Sequence, residues 1–160
     1  MIRKITEKDK DMFVELMDEF YHSDGVHHAL PRHYYEKAAE EALKDSPYMT
    51  AYLIESEGSV AGYGQLSFTY STEAGGMVVW IEELYIRPEF QGRGLGTEFF
   101  DKIFTMYQNK ASRFRLEIAP ENDGARRLYE SLGFESLGYE SMVIEKGCGV
   151  AGHQRREEVL

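Results

Sequence analysis

What this chain lacks narrows what it can be. It has one cysteine, Cys148, so no internal disulfide can form, and a reducing cytoplasm is the expected setting. That thiol stands in the C-terminal tail, away from every motif below, and reads as inert. No apolar run approaches the roughly 18 residues of a membrane span. The start, Met1 to Lys10, carries charge where a signal peptide needs an apolar segment, so no membrane partner is expected. Basic residues are outnumbered, 18 Lys/Arg against 28 Asp/Glu for a net charge of −10, which opposes nucleic acid as a partner. His22, His27 and His28 lack the two-ligands-on-a-helix spacing, and no cysteine cluster supports them, so no metal site is expected. There is no internal repeat and no low-complexity segment.

The 160 residues, 42% hydrophobic and 13% aromatic, suffice for one domain with a real core. That domain is read over residues 1–146. The tail, 147–160, has glycines and charges without a core pattern, and is expected to be mobile or to pack on a partner subunit, as in a homodimer. Residues 1–90 hold 8 Lys/Arg and 17 Asp/Glu, whereas residues 91–160 hold 10 and 11. An acidic first part suits a cationic acceptor, and it equally suits solubility.

Periodicity gives the elements. Met12, Phe13, Leu16, Met17, Phe20 and Tyr21 make one helical stripe, started by Thr6 with Asp9 three residues on. Residues 21–31 form a loop, and a second helix follows over about Pro31 to Lys44. Ala51 to Glu55, Val60 to Tyr70 and Met77 to Ile86 read as a hairpin leading into a third strand. A helix runs from Thr97 to Gln108, then a strand over Phe114 to Ala119 and a helix over Ala125 to Leu132, stopped by Gly133. Phe134 and Tyr139 to Glu145 complete two more strands. The whole predicts an α+β, three-layer fold with a mixed, mostly antiparallel central sheet flanked by helices.

The centre of the chain is strand, turn, glycine loop and helix: Trp80 to Ile86, Arg87 to Phe90, Gln91-Gly92-Arg93-Gly94-Leu95-Gly96, then Thr97 onward. Free N–H groups and the dipole of a helix start attract anions, and glycines admit them closely, so a phosphate or pyrophosphate cradle is expected. A nucleoside-triphosphate loop would continue Gly-Lys-Ser/Thr, but Gly96 is followed by Thr97-Glu98. A dinucleotide fingerprint needs Gly-x-Gly-x-x-Gly, and the spacing here is Gly-x-Gly-x-Gly.

Gln91 to Gly96 instead resembles the pyrophosphate loop of the GNAT superfamily of N-acetyltransferases. Leu116 to Asn122 resembles that family's fifth strand with its terminal asparagine, and Ala125 to Phe134 resembles the helix that carries its tyrosine. The resemblance implies acetyl-coenzyme A as cofactor, held by Leu84, Tyr85 and Ile86 along the strand, by Gln91, Gly92, Arg93, Gly94, Leu95, Gly96 and Thr97 in the loop, and by Asn122 and Tyr129. A cation at Arg93 would add to the amides.

Acetyl transfer to an amine needs the amine neutral, and a primary alkyl amine with a pKa near 10.4 is mostly protonated at pH 7. Two carboxylates, Glu82 and Glu83, lie in the apolar strand, where alternation sends them to opposite faces. By analogy with the family Glu82 is the base, with Glu83 as fallback should a bulge exchange the faces. The resemblance gives Tyr129 the role of acid toward the leaving thiolate. With no cysteine near the motifs, direct transfer to an amine, on a cationic small molecule, is expected. A protein or peptide N-acetyltransferase and a catalytically silent coenzyme A-binding regulatory module are the alternatives.

Overall fold

Alternation along three long strands builds the sheet, and a computed structural model of the chain describes it over residues 1–24, 26 and 28–144. In chain order come β1 (Ile2–Lys4), α1 (Lys10–Tyr21), α2 (Arg32–Leu43), β2 (Met49–Ser56), β3 (Ser59–Ser71), β4 (Gly76–Ile86), α3 (Leu95–Tyr107), β5 (Ala111–Leu116) and α4 (Asp123–Ser131). The strands lie in the order β1-β2-β3-β4-β5. Every neighbouring pair is antiparallel except β4 and β5, which are parallel, as their connection through α3 requires. The mixed, mostly antiparallel sheet of the sequence reading is therefore the one observed.

Each face of the sheet buries its own cluster. Phe13, Leu16 and Met17 of α1 and Tyr35, Ala39 and Ala42 of α2 cover Ala51, Leu53 and Tyr63 on one face. Phe99, Phe100 and Ile103 of α3 cover Ile54, Ala61, Leu66, Val79 and Ile81 on the other, with Leu128, Tyr129 and Leu132 of α4 packed against them. Gly64 permits this second contact, since a Cβ there would stand 2.2 Å from the Phe99 ring. The start of α1 is fixed locally: the Thr6 backbone N–H donates to the Asp9 carboxylate at 2.8 Å, and Arg3 donates to both Asp9 oxygens at 2.8 and 2.9 Å.

Three expectations shift. β5 begins three residues earlier than read, at Ala111, and α4 two residues earlier, because the Asn122 side chain accepts from the Ala125 N–H at 3.1 Å and starts the helix there. The strands expected at Phe134 and from Tyr139 are not present over residues 134–144. Phe134 joins the aromatic cluster of Phe100, Phe104 and Tyr129 instead. Tyr139, Met142, Val143 and Ile144 are exposed, and among the described residues no strand pairs with them. Glu145, Cys148 and the tail 147–160 lie outside the described residues, as does His27. Among the described residues no helix is long and apolar enough to cross a membrane.

Candidate active site

The site forms where the sheet divides. β4 pairs with β5 only as far as Ile81 opposite Leu116, while its pairing with β3 continues to Ile86 opposite Gly62. Beyond Ile81 one hydrogen-bonding edge of β4 has no strand beside it among the described residues, and a cleft of about 660 Å³ opens there. Leu84, Tyr85, Ile86 and Gln91 line it from one side, Ala119, Glu121 and Asn122 from the other, and Phe20, Ser23 and Asp24 from the end of α1. The Gln91 side-chain amide donates to the Ile86 carbonyl at 2.9 Å, tying the glycine loop to the strand.

A β-bulge sits at the vertex of this division. Gln65 faces Glu83 and Leu66 faces Ile81, which leaves Glu82 as the extra residue of β4. Cross-strand partners share a face, so Ile81 points to α3 with Leu66, while Trp80, opposite Ser67, and Glu83, opposite Gln65, both point toward α1. Glu82 lies on that same face, where it accepts from the Ser67 hydroxyl at 2.5 Å. The expectation that strand alternation separates the two carboxylates is thus corrected: one inserted residue gathers both on the α1 side.

The two acids nonetheless have different surroundings. Glu83 is enclosed, accepting from the Tyr21 hydroxyl at 2.5 Å and the Tyr63 hydroxyl at 2.6 Å. Burial pushes its carboxyl above the usual range, the two tyrosine donors pull partly back, and the charge of Glu82 pushes it up again. Tyr21 and Tyr63 are themselves raised, by burial first and then by the carboxylate they serve. Both Glu83 oxygens are thereby occupied, whereas Glu82 is exposed. Sequence patterning missed Tyr21 and Tyr63, since Tyr21 continues the apolar stripe of α1 and nothing local marks its hydroxyl.

The glycine loop has the backbone of an anion cradle. Gly92 and Gly94 have φ of 72° and 78°, and α3 starts directly after, at Leu95. Alternating left-handed residues before a helix turn successive N–H groups toward one concavity. A Cβ at Gly92 or Gly94 would meet nothing within 4 Å, so the space above them is open to a ligand. Gly96 differs, because a Cβ there would press on Leu128 at 3.3 Å, and its bareness serves the packing of α3 on α4. Thr97 follows in the first turn of α3. The Arg93 guanidinium turns elsewhere, to Glu57 at 3.2 Å and the Glu89 carbonyl at 2.9 Å, over the Phe90 ring.

Tyr129 packs edge-on to Phe100 and Phe134, with ring centroids at 5.6 and 6.0 Å. Burial raises its hydroxyl above the ordinary tyrosine value, so it keeps its proton at neutral pH. It is not among the residues that line the cleft, which Asn122 reaches. His22 bonds the Asp18 carbonyl at 2.8 Å within α1's last turn.

The sequence model of the acetyltransferase (GNAT) family matches residues 10–134. The thialysine N-epsilon-acetyltransferase of Mus musculus is 33% identical over 146 residues, covering 82% of this chain and 82% of that protein. Among solved structures, a possible acetyltransferase from Clostridium difficile 630 superposes with a TM-score of 0.78 at 20% identity, over 91% of this chain and 97% of that one. The aminoglycoside enzyme AAC(6')-Iy, solved with a bisubstrate analogue built on coenzyme A, gives 0.74 at 19% identity, over 92% and 98%.

Proposed function

The chain belongs to the GNAT family of acetyltransferases, and we propose that it acetylates a terminal amine of a small cationic molecule, with Glu82 as proton acceptor. It is an acetyl-coenzyme A-dependent N-acetyltransferase. The acceptor class is our reading, and it takes the thialysine named for the mouse relative as its first candidate.

The residues present fit the cofactor. An open nest at Gly92 and Gly94 with the first-turn amides of α3, Leu95 to Thr97, suits a pyrophosphate. The unpaired edge of β4 at Leu84, Tyr85 and Ile86 suits an extended amide-bearing arm, with Gln91 and Asn122 at the sides of the cleft. Arg93 contributes through its backbone, its guanidinium being held by Glu57. When bound, acetyl-coenzyme A supplies an acetyl thioester for direct attack by the amine and a thiolate leaving group.

The protein's own part is proton handling, and the bulge at Glu82 carries the reading. It sets an exposed carboxylate where the sheet divides, two residues before Leu84, at which the cleft lining begins, and Ser23 and Asp24 of the α1–α2 loop border that same cleft. A carboxylate there accepts the ammonium proton, directly or through water, an effect on the order of a hundred- to ten-thousand-fold. Glu83 holds position beneath it through two tyrosines. Tyr129, protonated at neutral pH, is the donor to the thiolate in this scheme. The reading extends to residues 1–146 as one acetyltransferase domain in the cytoplasm, which the lone cysteine supports.

Thiol release from acetyl-coenzyme A by the purified protein, with thialysine, lysine, polyamines, aminoglycosides and peptides, tests the reading. Release with small cationic amines and not with peptides is expected. Release with peptides alone would replace it by a protein N-acetyltransferase, and cofactor binding with no release on any amine would leave a silent coenzyme A-binding module.

A further inference from the structure

Next to Glu82 on the acceptor face stands a cation that the scheme above does not use. Arg115 of β5 pairs in register with Trp80 of β4, and its guanidinium lies 4.3 Å from the centre of the indole. Trp80 is itself held, its ring N–H donating to the Thr69 hydroxyl at 3.1 Å. Arg113, two residues earlier on β5, is paired with Glu73 at 3.4 Å. Arg115 makes no ion pair among the described residues, although the chain is strongly acidic. It is half-buried and its planar fork lies on an aromatic surface, so little side-chain freedom remains to be lost on binding an anion.

Trp80 and Glu82 are successive residues on one face of β4, and Arg115 is one strand across from Trp80. Neighbouring strands are about 4.8 Å apart and same-face neighbours about 6.6 Å along a strand, so the backbone positions of Arg115 and Glu82 lie within the span of one small molecule. Among the described residues they do not pair with each other, and Glu82 accepts from the Ser67 hydroxyl. The α3 start, where an anion cradle lies, packs on the opposite face of the sheet, so Arg115 is not part of that cradle.

We propose that the acceptor is a zwitterion, an amino acid with a free α-carboxylate, and that Arg115 on its Trp80 platform is the specificity residue that binds this carboxylate while the terminal amine meets Glu82. Two charge-assisted bonds from a guanidinium fork give the carboxylate a fixed place, and a second ammonium group brought there would be repelled. The platform thereby selects against plain diamines and polyamines. This inference rests on the reading of Glu82 as the point to which the amine is delivered.

Initial rates with thialysine and with its decarboxylated analogue, 2-(2-aminoethylthio)ethylamine, test it on the wild type and on Arg115→Gln and Arg115→Lys. The wild type is expected to favour thialysine by tenfold or more in kcat/KM, chiefly through KM. Arg115→Gln is expected to lose that preference, its rate with thialysine falling while its rate with the diamine rises as the repulsion is relieved, and Arg115→Lys to restore part of the preference as a point charge. The diamine serves as the internal check that the variant is folded. Equal use of the two amines by the wild type would overturn the inference alone, as would an equal loss on both amines in Arg115→Gln. Absence of thiol release with every amine would remove the proposed function, and this inference with it.

Discussion

Removing the Tyr21 hydroxyl should make the stability of the protein more sensitive to pH. Tyr21 donates to Glu83 at 2.5 Å and Tyr63 at 2.6 Å, and these two bonds are what offset the burial of the carboxylate. Because burial raises the folded-state carboxyl above its unfolded value, the folded protein binds more protons between those two values, and stability falls as pH rises through that window. Tyr21→Phe withdraws one of the lowering influences, so the folded value climbs further and the falling window extends to higher pH. With Glu83 protonated the lost bond is a neutral one, about 1 kcal/mol; with Glu83 charged it is a bond to an ion, about 1.5–3 kcal/mol. The loss should therefore roughly double between acid and mildly alkaline solution. Urea unfolding of wild type and Tyr21→Phe at several pH values from 5 to 8 measures it, and the same substitution in a Glu83→Gln background should show little pH dependence. A loss that is constant across pH, or unchanged in the Glu83→Gln background, would refute the coupling.

Tyr129→Phe keeps the ring that packs on Phe100 and Phe134 and removes the proton that burial retains. Turnover should fall on the order of ten- to a hundred-fold with the cofactor KM nearly unchanged, and normal turnover would return Tyr129 to the core alone. Gly94→Val places a branched Cβ at φ 78° in the open space of the cradle. Cofactor affinity measured by calorimetry should drop at least tenfold beyond a folding loss of about 1–2 kcal/mol, and undiminished affinity would move the pyrophosphate elsewhere.

Much of this was legible because it is written in local pattern. The stripe Met12 to Tyr21 predicts α1, the Glu57-Gly58 turn predicts the hairpin of β2 and β3, and the glycines after β4 predict the loop that leads into α3. The faces of Glu82 and Glu83 were not legible, because a bulge depends on how β3 registers against β4, and no single strand records its partner's spacing. The same limit hid the Tyr21–Glu83–Tyr63 network, whose members are 62 and 20 residues apart in sequence. Arg115 sits in Ala111-Ser-Arg-Phe-Arg-Leu116 as an ordinary solvent-side residue of a strand. Only the parallel register that sets it over Trp80 distinguishes it from Arg113. The strands read over Phe134 and from Tyr139 are not formed among the described residues, where Phe134 joins the aromatic cluster of Phe100 and Phe104 instead.

The claim on which the rest depends is that Glu82 takes the proton of the acceptor amine, and the pH–rate profile of Glu82→Gln addresses it directly. With thialysine as acceptor, kcat/KM at pH 7 should fall on the order of a hundred- to ten-thousand-fold. It should then recover steadily toward wild type as the solution approaches the amine's own alkaline pKa, at or below the value of about 10.4 of an ordinary primary alkyl amine, where neutral amine no longer requires the carboxylate. A Glu82→Gln enzyme that matches wild type at pH 7, or one whose deficit is the same at every pH, would contradict the account.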